Sequence, residues 1–159
     1  MQVMREFYCM TTNKTPLKIV GTRNTSAEIP DLADIYSMGY KALTDLPKKY
    51  QPFLKSLVVR VENFPDANTL KNLQLTDRYD LLGLYKGTPL PQKTLNKINA
   101  PDIIYLYWCP LIRYARENRE PVDVLVNHVM IHEIGHHFGF TDEEMDLFSI
   151  QEDGGRNRD

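Results

Sequence analysis

Apolar residues recur along the chain with two different spacings, which predict helices in some segments and strands in others. From Asp31 to Pro47 the apolar positions recur every three or four residues, and this spacing predicts an amphipathic helix that ends at the proline. Short runs of β-branched and aromatic residues instead predict strands. The predicted strands are Leu57–Val61, Leu81–Tyr85 and Ile103–Trp108, the last ended by Pro110. We therefore expect helices combined with a small sheet.

Weaker patterns between these elements predict short helices and a loop. The short helical segments are predicted at Lys48–Lys55, Asp66–Leu75 and Leu111–Asn118. Leu90–Pro101 is polar and flanked by prolines, which predicts a loop. The first 29 residues show no sustained period, and we interpret them as an arm with a short strand at Pro16–Val20.

The segment from Pro121 to Phe138 predicts a long helix that is apolar on nearly every side and passes through the core. Proline is favoured at the start of a helix, and Gly139 suits the position just past the end. Thr141–Glu144 then has the pattern of a capping box, which predicts a last helix to about Ile150.

Length and charge indicate one domain without a binding surface for polyanions. The chain has 159 residues, within the usual range of a single domain. We predict an arm at residues 1–29, a domain at residues 30–150 and a flexible tail at residues 151–159. The formal net charge is -2, and without a basic stripe neither nucleic acid nor a membrane surface is expected as a partner.

Two features favour a cytoplasmic location. Cys9 and Cys109 are far apart in an otherwise cysteine-poor chain, which fits a reducing compartment better than a disulfide scaffold. The N-terminal residues lack the apolar core of a signal peptide, and no stretch approaches the roughly 18 apolar residues of a membrane-spanning helix.

The predicted buried helix carries the sequence HEIGH, which has the spacing of a metal site. His132 and His136 are four residues apart, so both imidazoles can bind one ion from the same helical face. Zinc prefers such nitrogen ligands, and a catalytic zinc site leaves one position for water. Glu133 can then act as the general base toward the metal-activated water and later protonate the leaving amine. Without a cation, burying these three side chains among aliphatic residues would be costly.

The residues beyond Gly139 supply candidates for a third metal ligand. The glycine can adopt the left-handed conformation that turns the chain back toward the histidines. Asp142 is the preferred candidate, with Glu143 and Asp146 as alternatives. Because acidic residues are favoured in the first turn of any helix, the choice among the three stays open at this point.

Three further residues near the motif are interpreted as structural. His128 lies one turn before His132, and a histidine satisfied within the core is favoured over an outer-shell role. His137 points about 100° away from His136, which favours a structural or outer-shell role. Met145 falls inside the last predicted helix and is expected in the core.

The stretch His128–Phe148 resembles the small bacterial zincin-like metallopeptidases. The similarity covers about residues 31–150 and includes three upstream segments. These segments are Val58–Pro65, Leu81–Gly87 and Pro101–Tyr107. The resemblance implies an α+β minimal zincin fold, in which a small mixed sheet packs against a buried active-site helix. It also implies a zinc signature, which maps onto His132, Glu133, His136 and Asp142.

Two hypotheses about function follow. In the first, the protein is a zinc-dependent peptidase that hydrolyses peptides or proteins with metal-activated water and Glu133 as the base. Its extended substrate would pair with an edge strand, and Ile103–Trp108 and Leu81–Tyr85 are the candidates. In the second, the protein is a non-catalytic binding or regulatory module whose metal site is empty or structural. The small size of the chain motivates this alternative, because little material is left for a deep cleft.

Overall fold

The computed structural model describes residues 2–3, 28–94 and 100–145. The predicted strand at Pro16–Val20, the candidate ligand Asp146 and the predicted tail lie outside these residues.

Five helices and four strands make up the described part of the chain. The helices are α1 (Leu32–Thr44), α2 (Gln51–Leu54), α3 (Ala67–Asn72), α4 (Trp108–Asn118) and α5 (Val122–Phe138). The strands are β1 (Gln2–Val3), β2 (Leu57–Glu62), β3 (Gly83–Lys86) and β4 (Asp102–Tyr107). A 3-10 turn spans Leu90–Gln92, and residues 142–145 begin one more helical turn.

The strands form one mixed sheet in the order β1-β3-β4-β2. β3 runs antiparallel to β1 and to β4, whereas β2 runs parallel to β4. The register pairs Ile104 with Tyr85 on one side and with Val59 on the other, so these three side chains share a face of the sheet. Helices α1 and α5 contact each other and pack on the sheet. This arrangement of helices on a small mixed sheet confirms the predicted α+β class.

Most of the core lies between this sheet face and the two helices. Apolar residues with no solvent exposure come mainly from α1, from β4 and from α5. They include Ile35, Ile104, Leu106, Leu125, Val126, Val129 and Met130. The predicted long helix is confirmed, with Pro121 at its N-cap and Gly139 at its C-cap. It is nevertheless not enclosed on every side, since Ile131 is 43% exposed. Within the described residues, no helix is both long and apolar enough to span a membrane.

The boundary between β4 and α4 differs from the prediction. The strand ends at Tyr107 instead of Trp108, and Pro110 lies in the first turn of α4 instead of ending the strand. Proline is tolerated there because the first N–H groups of a helix have no partner within the helix. The change of direction is fixed from outside, since Trp108 Nε1 donates to the carbonyl of Pro30 at 2.7 Å and the N–H of Cys109 donates to Asn63 at 3.1 Å.

Gly83 of β3 lies against α5 with no room for a Cβ atom, and its replacement tests this contact. A Cβ atom at this position would lie 2.5 Å from Val129 Cγ1 and 3.1 Å from the carbonyl oxygen of Tyr105. We expect Gly83→Ala to lower the free energy of unfolding by about 1–3 kcal/mol, because the overpacked strand must shift. Urea unfolding at constant m-value measures the change. As a control, Asn127→Ala on the exposed side of α5 should change stability by less than about 0.5 kcal/mol; equal stability of the two variants would contradict the close contact.

Candidate metal centre

The structure brings His132, His136 and Asp142 together at the C-terminal end of α5. The two histidines lie one turn apart, and their Nε2 atoms are separated by 3.2 Å. Asp142 Oδ1 lies 2.9 Å from His132 Nε2 and 3.0 Å from His136 Nε2. Three potential ligand atoms therefore form one compact triangle.

A tight turn after α5 returns Asp142 to the helix that carries the histidines. Gly139 has a φ of 95°, a left-handed conformation in which a side chain would be strained. The N–H of Phe140 donates to the carbonyl of Gly135 at 3.0 Å, which closes the end of the helix. Beyond the turn, Met145 packs directly on Gly135, where a Cβ atom would lie 2.3 Å from the methionine sulfur.

The capping box predicted after this turn is present. The N–H of Thr141 donates to Glu144 Oε2 at 2.8 Å, and the N–H of Glu144 donates to Thr141 Oγ1 at 3.3 Å. These reciprocal bonds fix the first turn of the next helix, on which Asp142 lies.

The triangle has the size and chemistry of a zinc site. Tetrahedral zinc with bonds of about 2.0–2.1 Å to nitrogen and oxygen holds its ligand atoms about 3.3–3.4 Å apart. The observed separations of 3.2, 2.9 and 3.0 Å are shorter than this by about 0.1 to 0.5 Å. His136 Nδ1 lies 3.0 Å from the carbonyl oxygen of Phe140, so this nitrogen carries the proton and leaves the lone pair of Nε2 for a metal. Three protein ligands leave one position for water or substrate, as in catalytic zinc sites.

Glu133 gives independent support for a cation at this place. Its side chain is fully buried, and Oε2 accepts the N–H of Tyr85 at 2.7 Å. Oε1 is buried without a hydrogen-bond partner among the described residues. Burial raises the pKa of this carboxyl group well above its usual value; the Tyr85 hydrogen bond opposes the rise, and the charge of Asp142 adds to it. A bound cation would compensate both carboxylates, so the residues present fit a metal ion.

His137, next to His136, faces away from the triangle into a buried polar network. His137 has no solvent exposure, and its Nε2 lies 2.8 Å from the carbonyl oxygen of Phe53. Nε2 therefore carries the proton, and Nδ1 lies 3.3 Å from the hydroxyl of Tyr85. The same hydroxyl lies 3.1 Å from Asp102 Oδ1, and Asp102 forms an ion pair with Lys93. This position agrees with the structural or outer-shell role expected for His137.

Electrostatics in this network follow from burial. Burial lowers the pKa of His137, while its bond to Phe53 and the charge of Asp102 oppose the decrease. Burial also raises the pKa of the Tyr85 hydroxyl, and the neighbouring Asp102 carboxylate adds to the rise. The imidazole and the phenol are thus both held in their neutral forms at neutral pH.

Sequence reasoning did not identify Tyr85, Asp102 or Lys93 as part of the site. A signal for them exists in the sequence GLYKG, in which Gly83, Tyr85 and Gly87 alternate. A Cβ atom on Gly87 would lie 2.2 Å from Asp102 Oδ1 and 2.8 Å from the Tyr85 hydroxyl oxygen, so only glycine leaves room for this hydrogen bond.

The remaining candidates lie apart from the triangle. His128 is exposed and lies 3.4 Å from a carboxylate oxygen of Glu120, so the expectation of a core histidine is wrong. His128 is exposed because the face of α5 that carries His128 and Ile131 points to solvent. Glu143 is exposed and is not a member of the described ligand cluster. Met145 is partly buried against Gly135, consistent with a packing role.

Helix α5 carries two histidines one turn apart with a glutamate between them, and it packs beside a small mixed sheet. This combination defines the zincin class of metal-dependent proteins. The family model described as Zincin-like metallopeptidase matches residues 54–151, and the chain belongs to this family. The match includes β2 to β4, α5 and the turn to Asp142. A comparison with curated proteins gave no match. Membership of the family implies a zinc cofactor and a peptidase activity at the level of the family.

The ligand assignment predicts which variants lose zinc. His132→Ala, His136→Ala and Asp142→Ala each remove one corner of the triangle, so we expect each to lose stoichiometric zinc binding at sub-micromolar free zinc. Metal analysis after dialysis against a zinc buffer measures the bound fraction.

Glu143→Ala is the matched control, because it removes an exposed carboxylate next to Asp142 without touching the triangle. It should keep a full equivalent of zinc. If Glu143→Ala lost zinc while Asp142→Ala kept it, the assignment would be wrong, and Glu143 instead of Asp142 would be the third ligand.

Proposed function

We propose that this protein is a zinc-dependent peptidase that hydrolyses peptide bonds with Glu133 as the general base. The observation that carries the proposal is the position of Glu133, whose one unpartnered oxygen is buried on the helix that carries His132 and His136. A metal site with a purely structural role would have no need of such a carboxylate beside it.

The residues of the chain have separate roles in the proposed reaction. His132, His136 and Asp142 would hold zinc, which when bound polarises a carbonyl group and lowers the pKa of water. Glu133 Oε2 is held by the N–H of Tyr85, which leaves Oε1 to accept a proton. As the oxygen of water forms a bond to the carbonyl carbon, Glu133 takes the proton of that water. Glu133 then gives this proton to the amine nitrogen as the C–N bond breaks, which restores the carboxylate.

The geometry of the sheet limits where an extended substrate can pair. β4 lies between β3 and the six-residue strand β2, so the candidate edge Ile103–Trp108 is wrong, whereas the other side of β3 carries the two-residue strand β1. The N–H of Tyr107 donates to the carbonyl of Leu82, so Leu82 and Leu84 direct their backbone groups toward β4. Backbone groups alternate in direction along a strand, so the N–H and carbonyl groups of Gly83 and Tyr85 point to the other side of β3. On that side the N–H of Tyr85 donates to Glu133.

We therefore propose that a peptide or protein substrate binds along the side of β3 that faces away from β4, in place of the two-residue strand β1. β1 pairs with this side in antiparallel register, with Gln2 opposite Tyr85 and Val3 opposite Leu84, so this side accepts an extended backbone.

The two cysteines, one of them the free and partly exposed Cys109, support a cytoplasmic location for this activity.

Replacing Glu133 separates catalysis from metal binding. Glutamine keeps the shape of the side chain and an acceptor for the Tyr85 N–H, but it cannot accept a proton at neutral pH. We expect Glu133→Gln to bind zinc like the wild type while turnover decreases by at least about 10²–10⁴-fold. Digestion of a peptide library followed by mass spectrometry measures cleavage, and zinc analysis of the same samples measures binding.

Wild-type protein treated with a chelator and then reloaded with zinc controls for contaminating proteases. Comparable cleavage by the wild type and Glu133→Gln would exclude Glu133 as the base. Stoichiometric zinc with no cleavage by the wild type, over a library that covers all residue types around the scissile bond, would favour the non-catalytic zincin-fold module.

A further inference from the structure

One face of α5 contacts β3 through residues on three successive turns. The two histidines of the metal site lie on a different face of the helix. Val129, Glu133 and His137 are spaced four residues apart and therefore form one ridge along the helix. Val129 lies against Gly83, and the carboxylate of Glu133 accepts the backbone N–H of Tyr85. One turn further along, His137 meets the hydroxyl of the same tyrosine.

Tyr85 thus contacts this ridge at both ends, through its backbone at Glu133 and through its side chain at His137. The amide is the hydrogen-bond partner that the structure shows for the Glu133 carboxylate. A glutamate side chain has three rotatable bonds, so the position of this amide determines the direction in which the free oxygen Oε1 points.

The hydroxyl end of Tyr85 is held by an anchor that is itself buried and fixed. Asp102 is 1% exposed, and its Oδ1 lies 3.1 Å from the hydroxyl oxygen of Tyr85 and accepts the N–H of Thr88 at 3.0 Å. The ion pair with Lys93 holds the second carboxylate oxygen. Because His137 Nε2 carries the proton that faces Phe53, His137 Nδ1 is also an acceptor, so Nδ1 and Asp102 Oδ1 share the single proton of the Tyr85 hydroxyl.

We propose that Tyr85 is a positioning residue for Glu133, and that its hydroxyl, anchored on Asp102 and His137, sets the place of the backbone amide that orients the general base. The proposal rests on the proposed peptidase function for its catalytic consequence, whereas the positioning itself is a property of the folded chain. It assigns a role to the buried polar network behind the metal centre, which contributes no ligand.

Tyr85→Phe tests the proposal, because it keeps the ring and the backbone amide and removes the hydroxyl alone. We expect exchange of the residue 85 amide hydrogen with solvent to become about tenfold faster in zinc-loaded protein, measured by NMR. Zinc affinity should stay within about twofold of wild type, because the ligand triangle is untouched. With the peptide that the wild type cuts best, kcat should decrease about tenfold at unchanged KM, since a displaced base slows the chemical step alone.

Tyr105→Phe is the matched control, since it removes a hydroxyl from the neighbouring strand on the opposite face of the sheet. It should leave amide exchange and kcat at wild-type values. Asp102→Asn provides a second variant with the hydroxyl present and its anchor weakened, and it should accelerate exchange at residue 85 in the same direction.

Unchanged exchange at residue 85 in both Tyr85→Phe and Asp102→Asn would overturn the proposal, as would faster exchange with kcat unchanged. A decrease in zinc affinity that accounts for the lost activity would also overturn it, because the tyrosine would then act through the metal site. If the wild type cuts no peptide, the proposed function fails, and the exchange measurement still decides whether the hydroxyl of Tyr85 holds the amide in place.

Discussion

Helix α5 carries ionisable side chains into the core, and the rest of the structure is arranged to satisfy them. Two imidazoles meet the carboxylate of Asp142, one carboxylate meets the amide of Tyr85, and His137 meets the carbonyl of Phe53. Unpaired polar groups in such a position would cost several kcal/mol each. The turn at Gly139 brings Asp142 to the two imidazoles, and the contact between α5 and β3 brings the N–H of Tyr85 to Glu133.

The charges at the metal centre point to linkage between metal binding and folding. Without a cation, burial and the charge of the Asp142 carboxylate both disfavour ionisation of the Glu133 carboxyl group. A dication with two neutral imidazoles and these two carboxylates would form a cluster of no net charge, which a protein interior accepts far more readily. Metal binding is therefore expected to stabilise the native state and to release protons.

The sequence was sufficient for features that depend on local spacing. The helix α5, its end at Gly139, the histidine pair four residues apart and the capping box after the turn are all set by residues close together in the chain. Features that depend on strand pairing were not predictable in the same way. The contact between Tyr85 and Asp102 requires the register of β3 and β4, and the exclusion of Ile103–Trp108 as an edge requires the order of the sheet. The start of α4 was misplaced because the bonds from Trp108 to Pro30 and from Cys109 to Asn63 have no signature in the local pattern.

The tight turn at Gly139 has a consequence for how the parts of the site are assembled. It keeps the chelate local, since His132 and Asp142 are ten residues apart, whereas the bond between Glu133 and Tyr85 joins residues 48 positions apart. Closing a short loop costs less entropy than closing a long one, so the helix and its turn can capture an ion before the sheet has docked. The carboxylate acquires its orientation only when β3 is in place. A partly folded chain would then hold the metal before Glu133 is oriented, which separates metal loading from the positioning of this carboxylate.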